Sequence, residues 1–180
     1  GKSKLIGIQH GGNYGSIRYL LEEKYEERIT DFYLTWGWRK NGYKNIIPFG
    51  STKMIDYKDS KLNSDDILFV MTAKRPYFHD LRFLPEERIN YLEDQGIFLN
   101  NISNSLLKNF RIRLYPEDAS WGSENQDEYL NLWKKYEIGI RVDSPKVKFV
   151  DSLNNCKLFV TDNLLTTYLE SLKMNIPTII

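Results

Sequence analysis

Residues 157–170 read KLFVTDNLLTTYLE. Leu158, Phe159 and Val160 form a run of strand length that is apolar throughout, as suits a strand covered on both faces. Beyond Asp162 and Asn163, the residues Leu165, Tyr168, Leu169 and Leu172 recur at helical spacing. A strand that passes through a polar turn into a helix is half of a βαβ unit.

Other parts of the chain repeat this alternation. Runs of strand length occupy 4–8, 31–35, 45–49, 66–72, 110–115, 147–150 and 176–180. A helix is expected after Ser16, a candidate cap, with Ile17, Leu20, Leu21 and Tyr25 on one face and Glu22, Glu23, Glu26 and Glu27 on the other. A second covers 126–136, and a longer helical region runs from Pro85 to about Lys108 with a break near Gly96. The polar segment 51–65 reads as a loop between two subregions, and no repeat or low-complexity tract is present. The pattern predicts an α/β fold, a Rossmann-like parallel sheet with flanking helices, in one domain spanning 1–180. In such sheets ligands lie beyond the carboxyl ends of the strands.

Composition narrows the function. A chain of 180 residues, 41% hydrophobic and 27% charged, supports one sizeable core. A net charge of +1 gives no electrostatic case for nucleic acid. No apolar stretch approaches the roughly 20 residues of a membrane span, and no signal-peptide pattern opens the chain. A single cysteine, Cys156, excludes an internal disulfide, so a reducing cytosol fits best, and it reads as a small packing residue. His10 and His79 are too far apart for a ligand-spaced cluster, so no metal is expected. The chain starts at Gly1 and stops within an apolar run, as expected of a piece of a longer protein.

The strand ends carry the candidate chemistry. After the first strand, His10, Gly11 and Gly12 lead into a helix; glycines let backbone N–H groups converge on an anion, and a histidine there can act as base or phosphate ligand. The bland alternative is a tight turn with a hydrogen-bonded histidine. Thr72, Lys74 and Arg75 follow the strand at 66–72 and suit phosphate neutralisation, or form a solvated basic loop. Arg113 can clamp a phosphate, with Tyr115, Asp118 and Trp121 lining a cleft; an ion pair and a half-buried tryptophan explain them equally. Asn163 or Asp162 can cap the last helix, whose first turn presents Thr166 and Thr167 to a diphosphate. Glu170 is spaced to reach a ribose or to make a surface ion pair. One of Trp36 and Trp38 can line the cleft, though core packing is the safer reading.

The motifs Gln9-His10-Gly11-Gly12, Thr35-Trp36-Gly37-Trp38, Arg113-x-Tyr115-Pro116-x-Asp118-x-x-Trp121 and Thr161-Asp162-Asn163-x-x-Thr166-Thr167-x-x-Glu170 occur in a familiar order. The chain thereby resembles a family of surface-polysaccharide (O-antigen) transferases, and more distantly the CDP-glycerol glycerophosphotransferases and bacterial sialyltransferases of GT-B type. The resemblance covers about residue 5 to 180 and implies the C-terminal, donor-binding half of a GT-B enzyme. It implies that His10 is the candidate catalytic residue near an interdomain cleft, a base or a phosphate-contacting residue, that Thr166 and Thr167 hold donor phosphates with Glu170 one turn beyond, and that Arg113 is the basic strand-end residue. Tyr115 departs from the histidine of the His-Pro step in the sialyltransferase-like families. The expected partners are a nucleotide-activated sugar or polyol donor and a polysaccharide or lipid-linked acceptor, with no cofactor and at most peripheral membrane association. The isolated half is expected to bind donor weakly and not to turn over. A GT-B-type nucleotide-sugar epimerase and a non-catalytic Rossmann-like binding module are the alternatives; sparse strand-end acids argue against the first.

Overall fold

The computed structural model describes residues 3–72, 87–114, 139, 141–144 and 146–180. In chain order its elements are β1 (Ile6–Ile8), α1 (Leu21–Ile29), β2 (Phe32–Thr35), β3 (Ile46–Pro48), β4 (Ile67–Val70), α2 (Glu87–Asn100), α3 (Asn104–Leu107), β5 (Phe110–Arg113), β6 (Arg141–Val142), α4 (Phe149–Asn154), β7 (Leu158–Thr161), α5 (Thr166–Lys173) and β8 (Thr178–Ile179). The α/β, Rossmann-like reading holds: among the described residues every strand pair is parallel, and helices flank the sheets. No helix among the described residues is long and apolar enough to cross a membrane.

The strands divide between two sheets, in two compact units. The polar 51–65 segment carries no strand, so no ladder continues from β3 to β4. The first unit comprises Gly1–Asp59 and Leu164–Asn175. Its sheet runs β1-β2-β3, with Ile6 opposite Phe32 and Tyr33 opposite Ile46. Tyr14, Leu20 and Tyr33 form its core, with Trp38 packed against them.

The second unit comprises Ser60–Asn163 and Ile176–Ile180. Its sheet runs β6-β5-β4-β7-β8. All four residues of β4 are buried, as its unbroken apolar run requires of a central strand. Phe69 of β4 packs in this core with Leu99, Ile112 and Val160. The chain adds β5 and β6 on one side of β4, then returns to place β7 on the other. The strand order therefore reverses between β4 and β7, the position where open α/β sheets leave a crevice.

Several local expectations change. The 147–150 run enters helix α4 rather than a strand, because Ser152 and Leu153 are buried one helical turn after Phe149. A four-residue apolar run cannot distinguish the two on its own. Gly96 lies inside α2, on the buried face with Leu92, Gln95 and Leu99; the helix breaks instead between Asn100 and Asn104. The two-residue strand β6 carries too little pattern to be read from sequence. The expected helix at 126–136 lies outside the described residues.

The first helix departs most. It starts at Leu21, with Leu20 at the N-cap, and Ser16 instead donates its hydroxyl to the Asn13 carbonyl at 2.9 Å within the preceding turn. Its buried residues are Glu23 and Glu27, while Leu21, Tyr25 and Ile29 are exposed. The acidic face points inward because it finds donors there. Glu23 accepts the Gly15 N–H at 2.6 Å and Glu27 accepts Lys40 at 2.5 Å.

Candidate functional site

Gln9 organises the loop after β1. It is 3% exposed, and its Oε1 accepts both the Trp36 N–H and the Trp38 indole N–H at 2.8 Å. Its Nε2 donates to the Gly11 carbonyl at 2.7 Å. One amide thus ties the glycine loop to the Thr35-Trp36-Gly37-Trp38 turn. Gly15 has a φ of +74° and the Trp38 indole packs where a Cβ would stand, so only glycine fits.

Gly12 meets the start of α5. Its N–H donates to Thr166 Oγ1 at 3.1 Å. A Cβ on Gly12 would lie 2.5 Å from the Leu165 carbonyl oxygen and 2.7 Å from Thr166 Cα. The glycine is therefore what lets the loop touch the helix backbone. Leu165 occupies the N-cap without a side-chain hydrogen bond, so the capping role expected of Asp162 or Asn163 is not taken up. Since the Thr166 oxygen accepts from Gly12, the hydroxyl keeps its own proton to donate. First-turn N–H groups and the helix dipole favour an anion at such a place.

His10 stands on the same loop, with its side chain 69% exposed. The Tyr14 hydroxyl lies 3.2 Å from its Nε2 and 3.4 Å from its Nδ1. Tyr14 donates to Glu26 Oε1 at 3.0 Å, and Tyr33 donates to Glu26 Oε2 at 2.9 Å. Glu26 Oε1 is 3.8 Å from His10 Nδ1. Burial first, then the hydrogen bond to Glu26 and its charge, raise both phenols well above the ordinary tyrosine value. Both remain protonated donors across the physiological range.

Glu170, on α5, is 2% exposed. Lys53 donates to its Oε1 at 2.5 Å and Tyr57 to its Oε2 at 3.0 Å. The ion pair foreseen at the surface is thus buried on its carboxylate side. Burial, followed by the charge and hydrogen bond of Glu170, pushes the Tyr57 phenol up to about 12. Beside these residues lies an open cavity of about 370 Å³ lined by Trp36, Ser51, Met54, Ile55, Leu169 and Lys173. Trp36, not Trp38, is the tryptophan at this cavity. Among the described residues Trp36 Nε1, Ser51 Oγ and Thr167 Oγ1 are buried without a hydrogen-bond partner.

In the second unit, Thr72 and Asn163 come together where the strand order reverses. Asn163 Nδ2 donates to Thr72 Oγ1 at 2.7 Å, and Thr72 Oγ1 donates to Asp162 Oδ1 at 2.7 Å. Asp162 Oδ2 also accepts from Gln95 at 3.1 Å and from the Tyr91 hydroxyl. Arg113 is 6% exposed and fully engaged: Nη1 donates to Asp143 at 2.5 Å and Ser152 Oγ at 3.0 Å, Nη2 to the Val147 carbonyl at 2.8 Å. This is the ion pair that the sequence left open as an alternative to a phosphate clamp. Cys156 is buried, and burial pushes its thiol up to about 11, as suits a packing residue. Lys74, Arg75, Tyr115, Asp118 and Trp121 lie outside the described residues.

A family model described as LIC12162 family transferase matches residues 2–180. The chain belongs to this family. No curated protein and no solved structure matches it. The molecule is therefore a transferase, and the candidate site brings together residues that sequence spacing did not reveal. Gln9, Glu26, Lys53 and Tyr57 are ordinary polar residues in sequence; Gln9, Lys53 and Tyr57 bond partners far along the chain, and Glu26 bonds Tyr14, 12 positions before it. The signal for Glu26 was there in a weak form. It lies on α1, the helix right after the glycine loop, and among its acidic residues it is the one that faces Tyr14.

Proposed function

We propose that this transferase moves a sugar or polyol-phosphate group from a nucleotide-activated donor to a polysaccharide or lipid-linked acceptor of the cell surface, as the donor-binding half of a GT-B enzyme. The observation that carries the reading is the bond from the Gly12 N–H to Thr166 Oγ1, which joins the histidine loop to a helix start. Donor phosphates rest against that helix start, where the Thr166 hydroxyl proton and first-turn N–H groups meet their oxygens. The cavity beside Trp36 and Met54 takes a flat apolar part of the donor, with Lys173 at its rim. Thr72 and Asn163 are a second polar strand end suited to donor oxygens.

His10 acts as general base. The acceptor hydroxyl oxygen forms a bond to the transferred group while its proton passes to the imidazole. The bond from that group to the donor phosphate breaks, and its electron pair stays on the departing nucleotide, whose charge the α5 start stabilises. The reading assigns no metal and no cofactor. It sets the reaction in the cytoplasm, at most against the inner face of the membrane, where an acceptor on a lipid carrier is within reach.

Calorimetric titration of the intact transferase with CMP, CDP, UDP and GDP donors tests this. One donor is expected to bind, Thr166→Ala to weaken it, and His10→Ala to lower kcat by on the order of 10²-fold or more while binding persists. If no donor binds, and if both variants leave polysaccharide synthesis intact, the reading is wrong.

A further inference from the structure

We propose that the outward face of α1 docks the transferase on an anionic lipid surface. The inference rests on the reading of a lipid-linked acceptor and names the part of the chain that meets the lipid.

The glutamates turned inward account for one side of α1 only. Glu23, Glu26 and Glu27 are held by Gly15, by Tyr14 and Tyr33, and by Lys40. Water on the other side asks for polar residues. The helix presents Leu21 and Tyr25 there, 79% and 65% exposed, followed by the exposed Ile29. Their i, i+4, i+8 spacing makes one continuous row, not scattered apolar residues. Tyr19, 69% exposed, joins the row near the helix start, with Lys24 Nζ 4.6 Å and the Arg18 guanidinium 5.3 Å from its ring centre.

Charge decides what covers the row. Arg28, seven positions after Leu21, returns to the same side of the helix, and Lys24 borders it. Of the acids on α1, Glu22 alone stays exposed. Among the described residues no carboxylate forms an ion pair with Arg18, Lys24 or Arg28. A second copy of this face would set cations against cations. A leaflet with anionic headgroups satisfies both features. The apolar side chains enter below the headgroups, while lysine and arginine stay level with the lipid phosphates. Tyrosine suits that boundary, its ring in the apolar layer and its hydroxyl in water.

The placement serves the chemistry. The inward side of α1 holds the glycine loop at Gly15 and Tyr14, and His10 stands on that loop. A helix with its side chains is about 10–12 Å across. A leaflet on the outward face therefore lies roughly one helix diameter from the loop that meets the acceptor.

Co-sedimentation of the intact transferase with vesicles of phosphatidylcholine and about one-third phosphatidylglycerol tests the proposal. Binding is expected at low salt, and about tenfold weaker binding at high salt or to phosphatidylcholine alone. Leu21→Gln combined with Ile29→Gln, and separately Lys24→Gln combined with Arg28→Gln, should each lower binding about tenfold. None of the four residues is buried, so Tm and donor binding should stay at wild-type level. Absence of vesicle binding, or binding indifferent to both pairs, would overturn the proposal. A dimer in sedimentation velocity that the Leu21 and Ile29 changes dissolve, with vesicles unbound, would overturn it in favour of a second copy. A marked loss of Tm in that variant would overturn it too, since the face would then be covered within the protein itself. Donor binding without vesicle binding refutes this inference and leaves the transferase reading standing. Vesicle binding without donor binding does the reverse.

Discussion

Replacing Arg113 by alanine separates a strut from a phosphate clamp. The guanidinium is buried, donates to Asp143 at 2.5 Å, to Ser152 Oγ at 3.0 Å and to the Val147 carbonyl at 2.8 Å, and lies over the Phe149 ring. Removing one partner of a buried ion pair typically costs about 3–5 kcal/mol, because a charge is left without compensation. Here Asp143 would keep Ser152, which donates to it at 2.6 Å, and Arg111 at 3.4 Å. The loss should therefore fall at the lower end, about 3 kcal/mol, or roughly a hundredfold in the opening equilibrium. Native-state hydrogen exchange reads this for the second unit alone: the slowest amides of β4 and β5 should exchange about a hundredfold faster in Arg113→Ala. Arg113→Lys keeps the charge but not the fork, cannot serve three acceptors in one plane, and should lose an intermediate amount. Unchanged exchange in Arg113→Ala, together with weakened donor binding, would refute the strut and restore the clamp.

Two further outcomes follow from the first unit. Gly12→Ala should lower stability by about 1–3 kcal/mol through overpacking against backbone that cannot turn aside, measured as a drop in Tm; Gly11→Ala, whose Cβ would crowd the Asn13 side-chain oxygen at 2.8 Å and meet the Tyr14 ring at an ordinary 3.6 Å, should be milder. Tyr57→Phe should destabilise the protein at neutral pH, and its deficit against wild type should vanish in strong alkali. The Tyr57 phenol is raised from 10.0 to about 12, so its contribution is complete below the unfolded value and is lost as pH rises through the folded one. A deficit that persists unchanged across that window in urea titrations would show that the Glu170 bond contributes nothing.

Seven of the runs of strand length read from sequence contain a strand; the central strand β4, buried at all four residues, advertises itself best as an unbroken apolar segment. Their partition was less visible. Residues 51–65 look like any polar loop, and sequence spacing alone does not say that β3 ends one ladder while β4 begins the centre of another. Among the site residues, Gly12 and Thr166 were legible because glycine loops and first-turn hydroxyls are local signals. Their contact was not, since it spans 154 positions. Arg113 misleads for a related reason. A strand-end arginine looks the same whether it faces a ligand or Asp143, and the acid that decides the matter stands 30 positions later.

The reversal of α1 shows why periodicity failed where the chemistry is densest. Helical periodicity weighs each side chain by its own polarity, and so assigns Ile17, Leu20, Leu21 and Tyr25 to one inward face and the glutamates to water, yet of those four only Leu20 is buried. Burying a carboxylate is unfavourable only when it lacks partners. Here Glu23 has a backbone N–H of the glycine loop, Glu26 has two phenols, and Glu27 has Lys40. Charge-assisted bonds of this kind are about twice as strong as neutral ones. Two of these partners, Gly15 and Tyr14, belong to the loop that also presents His10. The helix turns its acids inward because that loop needs acceptors, so the orientation of α1 and the anchoring of the glycine loop have one cause. A variant with Glu23 and Glu26 made apolar would improve the polarity pattern of α1 and remove the acceptors of Gly15 and Tyr14.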